Sequence, residues 1–169
     1  MKMPFSTLFL ITLTLSITAQ NASHVLNNMK YITKVVSNSK SEKIKKIQNM
    51  VADYNIENAD GYNAKNKSTY DVMFEVSNCK IEATYNSSGE ILKSTEVYVD
   101  MRLPVSLAKQ IIKGNNQWSI SNNLQKVYYN RNSSAYRIYE VEIKKDNEIK
   151  NLKFKIDSED NNKAYVALN

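Results

Sequence analysis

Strict alternation of apolar and polar side chains dominates the middle of this chain, and it limits the folds open to it. Tyr70, Val72, Phe74 and Val76 alternate with Asp71, Met73 and Glu75. Ile81, Ala83 and Tyr85 then alternate with Lys80, Glu82 and Thr84. Successive side chains of a strand point to opposite faces, so this pattern predicts antiparallel strands with one dry and one wet face. Asn86-Ser87-Ser88-Gly89 predicts a turn, with Gly89 supplying a positive φ. Ile91 to Val99 resumes the extended chain. Further on, Tyr136 to Ile143 and Ile149 to Ile156 predict a second hairpin turned at Asp146-Asn147, and Ala164 to Leu168 a short last strand.

Two segments show helical spacing instead. Ile44, Ile47 and Val51 stand at i, i+3 and i+7 behind Ser41, a suitable N-cap. Pro104 opens the other, where its missing N–H is harmless. Val105, Ala108, Ile111 and Ile112 are its expected apolar stripe, and Gly114 its stop. Residues 51–56 change period and predict a strand. Residues 24–38 fit either a short strand or an arm. Taken together the chain reads as α+β: two helix-plus-antiparallel-strand halves, 41–100 and 101–160, with both helices on one face of the sheet. The match of Ile81–Tyr85 to Leu152–Ile156, each followed by a polar turn, supports the repeat.

The first twenty residues predict export. Met1-Lys2-Met3-Pro4 carries one positive charge, Phe5 to Ile17 is apolar, and Ala19 is a small residue before a cut. This is the three-part pattern of a cleavable signal peptide over residues 1–19. At about 13 residues the apolar core falls short of the roughly 20 that a membrane span needs. The expected organisation is a signal peptide (1–19), an N-terminal arm (20–40) and one domain (41–169), periplasmic or secreted, with no membrane span. Cys79 is the lone cysteine, so no internal disulfide is available and the core must carry the stability.

Charge and chemistry narrow the function. Lys and Arg total 23 against 17 Asp and Glu, a net charge of +6, but Arg occurs only at 102, 131 and 137. Base reading and bidentate phosphate contacts favour Arg. A Lys-rich exported chain therefore predicts no nucleic-acid partner. The single His, His24, lies a few residues from the expected mature N-terminus in a segment expected to be loosely ordered, which leaves no base for a nucleophilic triad. Three Gly exclude a glycine-rich phosphate loop. Asp157, Glu159, Asp160 and Asn161 form an oxygen-rich run, but Asn162 and Leu168 stand where an EF-hand loop needs its Gly and its final acid. The expectation is no catalytic residue, no metal and no cofactor. Eleven Tyr and one Trp remain as recognition material. Tyr98, Tyr128 and Tyr129 are the candidate binding surface, and Trp118 is expected as a core anchor.

Three short motifs carry a family resemblance over residues 41–157: the helix opened by Leu103-Pro104, the segment Asn116-Gln117-Trp118-Ser119-Ile120, and the turn Tyr85-Asn86-Ser87-Ser88-Gly89-Glu90. They resemble the exported PepSY-like proteins of Gram-negative bacteria, related in fold to the beta-lactamase-inhibitor-like tandem domain. The chain departs from that pattern at Asn116, where a Pro is common, and after Asp157, where a Gly is common. The resemblance implies a tandem α+β fold and a non-enzymatic role, with inhibition of extracellular enzymes as the usual proposal. The resulting expectation is an exported binding protein that recognises another envelope or extracellular protein. The alternatives are a small-ligand or polymer-binding periplasmic protein and a structural envelope component.

Overall fold

The computed structural model describes residues 27–65, 68–157 and 166–168. A short helix α1 (Met29–Tyr31) runs into a π-helical turn (Ile32–Val36), and α2 (Glu42–Ala52) and a 3₁₀ turn (Ile56–Asn58) follow. Three strands come next: β1 (Tyr70–Val76), β2 (Cys79–Tyr85) and β3 (Ile91–Val99). After α3 (Val105–Gly114) the chain forms β4 (Ser119–Asn130), β5 (Tyr136–Lys145), β6 (Glu148–Asp157) and β7 (Val166–Leu168). The predicted signal segment, His24 and, of the oxygen-rich run, Glu159, Asp160 and Asn161 lie outside the described residues.

The fold corrects the expected α+β arrangement of two helix-plus-strand repeats. All seven strands form one antiparallel sheet whose spatial order is the chain order, and the fold is mostly β. The physical reason is the pairing of β3 with β4. Lys93–Val99 lie against Asn130–Leu124, so the sheet runs unbroken past the point where a second repeat was to begin. α3 is an excursion between two strands that are already neighbours.

Register places both apolar clusters on one face. Ile81 faces Glu96, Glu96 faces Val127, Val127 faces Arg137, and Arg137 faces Ile156 across the sheet. On this inner face α1 and α2 cover a cluster that includes Tyr31, Ile44, Val51, Ile81, Tyr85 and Tyr98. Leu107 and Ile111 of α3 cover a second one with Tyr139, Val141, Ile143 and Phe154. Trp118 packs half-buried against the second cluster, with Lys150 Nζ 4.2 Å from its ring centroid.

Residues 51–56 are not a strand because Val51 and Ala52 extend the buried stripe of α2, which also holds Ile44, Ile47 and Gln48. A helix end leaves carbonyls without partners. Two distant side chains supply them: Tyr85 Oη donates to Val51 O at 2.7 Å, and Asn28 Nδ2 donates to Ala52 O at 2.9 Å. Ser41 takes the N-cap position, although its side chain makes no capping bond.

Asn28 joins three segments at once. Its Nδ2 also donates to Gly89 O at 3.0 Å, and its Oδ1 accepts from Ile91 N at 2.8 Å. Asn28→Ala strips the buried Ile91 N–H of this acceptor and should cost about 2–3 kcal/mol. Urea unfolding followed by circular dichroism measures it. A loss below about 0.5 kcal/mol would mean that α1 is held by apolar packing alone.

Candidate functional site

The three tyrosines chosen from sequence do not share a surface. Tyr98 is fully buried and Tyr129 is 3% exposed, both on the inner face. Val97 and Val99, its apolar neighbours, point outward instead, and Val99 is exposed. Tyr129 packs edge-on against Tyr31, with ring centroids 5.3 Å apart. Tyr128 alone lies on the outer face, half-buried. It stacks on Tyr136 at 4.9 Å, and Lys155 Nζ sits 4.7 Å from the Tyr136 ring centroid. Beside this pair Glu140 accepts from Lys126 at 3.1 Å and pairs with Lys153 at 3.2 Å. Partial burial pushes the Glu140 carboxyl up, but the two lysines together hold it below its ordinary value.

Tyr98 is buried because of a residue that alternation alone does not reveal. Glu96 is fully buried in the centre of the inner face. Tyr31 Oη donates to its Oε1 at 2.6 Å; Tyr98 Oη and Gln48 Nε2 each donate to its Oε2 at 2.6 Å. Ser39 Oγ in turn donates to Gln48 Oε1 at 2.6 Å. A buried carboxyl is tolerable only when its lone pairs are met, and three strong donors meet them here. Burial, and then the nearby Glu96 charge, hold the Tyr31 and Tyr98 hydroxyls far above the ordinary tyrosine range. The network is sealed from water and acts as a fastener between helices and sheet.

Cys79 is 2% exposed at the start of β2, and burial raises its thiol pKa against a weaker lowering by Lys43. A buried thiol with a raised pKa is a poor nucleophile. Among the described residues no three His, Cys, Asp or Glu side chains gather to hold a metal ion, and no helix is long and apolar enough to cross a membrane.

A notch opens where β3 ends. β3 pairs with β4 only as far as Val99–Leu124. Asp100 then takes φ +50° and turns the chain off the sheet, fastened by its N–H to Asn123 O (2.8 Å) and by its Oδ1, which accepts from Asn123 N (3.0 Å). At the start of β4, Ser119, Ile120 and Asn122 keep β5 on one side, and Ser121 is bulged out of the register between them. On the other side, among the described residues, no backbone pairs with them.

α3 borders this gap in an unexpected rotation. Leu107 and Ile111 point inward, while Val105 is 60% and Ile112 55% exposed. The expected stripe of Val105, Ala108, Ile111 and Ile112 is therefore split, and most of it lines a groove of about 650 Å³ with Leu103, Ile120 and Asn123. A second hollow of about 290 Å³ opens on the outer face beside Val99 and Leu124. The two hollows share Asp100 and Asn123, so the unpaired edge is reached from both faces.

No family model matches the chain, and no curated protein or solved structure matches it either.

Proposed function

We propose that the chain is an exported, non-enzymatic binding protein that recognises another envelope or extracellular protein, with inhibition of that partner as one form of its action. The observation that carries the reading is the notch. A row of unpaired backbone groups lies beside exposed Val105 and Ile112, which otherwise stand in water at an apolar cost. A mixed apolar and hydrogen-bonding surface of this kind suits a protein partner. The non-enzymatic part rests on the sequence, with its single His and three Gly.

The test is photo-cross-linking of the protein in its own cells, with probes placed one at a time at Val105, Ile112 and Tyr128. One dominant protein captured from Val105 and Ile112, and absent from Tyr128, is expected. With that protein purified, Ile112→Asp should weaken binding by about tenfold, the loss of one apolar contact of moderate weight. No specific product from the notch in cells holding folded protein would overturn the reading.

A second reading, a polymer-binding protein, is favoured by the stacked Tyr128 and Tyr136 with Lys155 over the latter ring. Flat aromatic faces edged by lysines suit anionic glycans. A product from Tyr128 alone that resists protease digestion would favour it.

A further inference from the structure

We infer that the notch binds by strand addition: an extended, mostly apolar segment of the partner, with an acidic residue on its helix-side face, lies beside Ser119–Asn122 and continues the line of β3. The inference rests on the protein-binding reading above and names the partner's chemistry. An unpaired strand edge recruits an extended peptide through main-chain hydrogen bonds, and hollows on either side select its alternate side chains. The notch has both features. Its edge is open where Asp100 leaves the sheet, and a hollow lies on each face of that edge.

Charge specifies the occupant. Arg102 and Lys109 line the helix-side groove, both exposed, and among the described residues neither has an ion-pair partner. The one carboxyl lining that groove, Asp100, already accepts from Asn123 N. Side chains pointing to the helix side thus meet Val105, Ala108 and Ile112 together with two cations. An apolar residue and an acidic residue fit these positions. On the outer face the incoming chain meets Val99 and Leu124, while Glu140 and Glu142 there are engaged with Lys126 and with Ser121 and Asn122.

The same charges disfavour the protein's own material. A second copy added edge to edge would gather two Arg102 and two Lys109 around one seam, in a chain of net charge +6. Residues 1–26 contain no Asp or Glu. Asp157, the last residue of β6, faces Tyr136, and Tyr136 faces Tyr128, at the opposite end of β4 from the notch.

The experiment pans a phage library of random ten-residue peptides on the purified folded protein, with the double variant Val105→Asp, Ile112→Asp as counter-selection. The expected result is enrichment of sequences in which an Asp or Glu and a Val, Ile, Leu or Phe share one face of the strand, with an apolar residue between them. The best of them, made synthetically, should slow amide exchange at Ser119–Asn122. It should lose at least about tenfold in affinity when alternate backbone amides are N-methylated, which removes donors and leaves charge unchanged. It should lose on the order of tenfold against the double variant Arg102→Glu, Lys109→Glu, whose changes are both at exposed positions. Dimerisation in the ultracentrifuge that protects the same amides would replace the peptide with a second copy and overturn the inference. So would the absence of enrichment, enrichment of basic or helix-forming sequences, or indifference to N-methylation. If the notch probes still capture one protein in cells, such a result removes strand addition and leaves the protein-binding reading standing.

Discussion

Glu96→Ala should cost the fold about 4 kcal/mol, a large share of the 5–15 kcal/mol that holds a typical domain. The substitution leaves Tyr31 Oη, Tyr98 Oη and Gln48 Nε2 without their acceptor in a site closed to water. Each stranded donor costs about 1–3 kcal/mol, and the total is lowered because the carboxyl's own desolvation disappears with it. Glu96→Gln should lose about half as much, since a tyrosine hydroxyl can turn to accept from the new amide. Pairing Glu96→Leu with Tyr31→Phe and Tyr98→Phe should recover part of the loss, because donors and acceptor then leave together. Urea denaturation of the set gives the differences directly. A loss below about 1 kcal/mol for Glu96→Ala would show that water reaches the network and that it fastens nothing.

The same centre makes the protein sensitive to alkali. Tyr31, Tyr85 and Tyr98 are fully buried, and all three hydroxyls are held above the ordinary tyrosine value of 10.0. Burial is the first cause in each case. Glu96 follows for Tyr31 and Tyr98, and Tyr54 for Tyr85. A group whose folded pKa is raised stabilises the fold fully below its unfolded pKa, and that stability is lost as pH climbs toward the folded value. Above about pH 10 the unfolded chain releases protons that the folded chain keeps. Three such protons give a fall of about 4 kcal/mol per pH unit once the unfolded tyrosines are ionised. Urea midpoints measured from pH 8 to 11.5 should be level at first and then drop steeply. Tyrosinate absorbance near 295 nm should rise in a step that coincides with loss of the far-ultraviolet signal. Buried tyrosines ionising while the fold persists, or a level midpoint to pH 11.5, would contradict the burial of these hydroxyls.

The strands were legible because alternation is a local signal. β1, β2 and the β5–β6 hairpin, whose turn residue Asp146 has φ +51°, follow from side-chain period and turn chemistry alone. What alternation does not give is which face turns inward when both carry mixed residues. Tyr98, expected on a binding surface, points inward, and Val97 and Val99 beside it point outward. The inward face there is Ser94, Glu96 and Tyr98, because a buried carboxyl and hydroxyls satisfy one another and need no water. Residues 29–36 concealed a helix for another reason. Thr33, Val35 and Val36 are β-branched and argue for a strand, yet docking on the sheet prevails. The helical signal was present in the spacing of Asn28, Tyr31, Val35 and Ser39, all buried, but two of these are polar and an apolar pattern passes over them. The notch was not legible at all. It depends on how far β3 pairs with β4 and on the rotation of α3, and both are set by contacts between segments distant in sequence.

Among the described residues β1 and β7 do not pair, so the sheet keeps two outer borders, and bare strand borders invite fibrous stacking of like chains. Here the two outer borders are blunted. β7 is three residues long, and β1 sets exposed Asp71 and Glu75 between its apolar positions. Neither offers the long, flat, uncharged ribbon that seeds insoluble assemblies. The border left bare in the interior, beside the first residues of β4, is short and is flanked by the exposed cations Arg102 and Lys109.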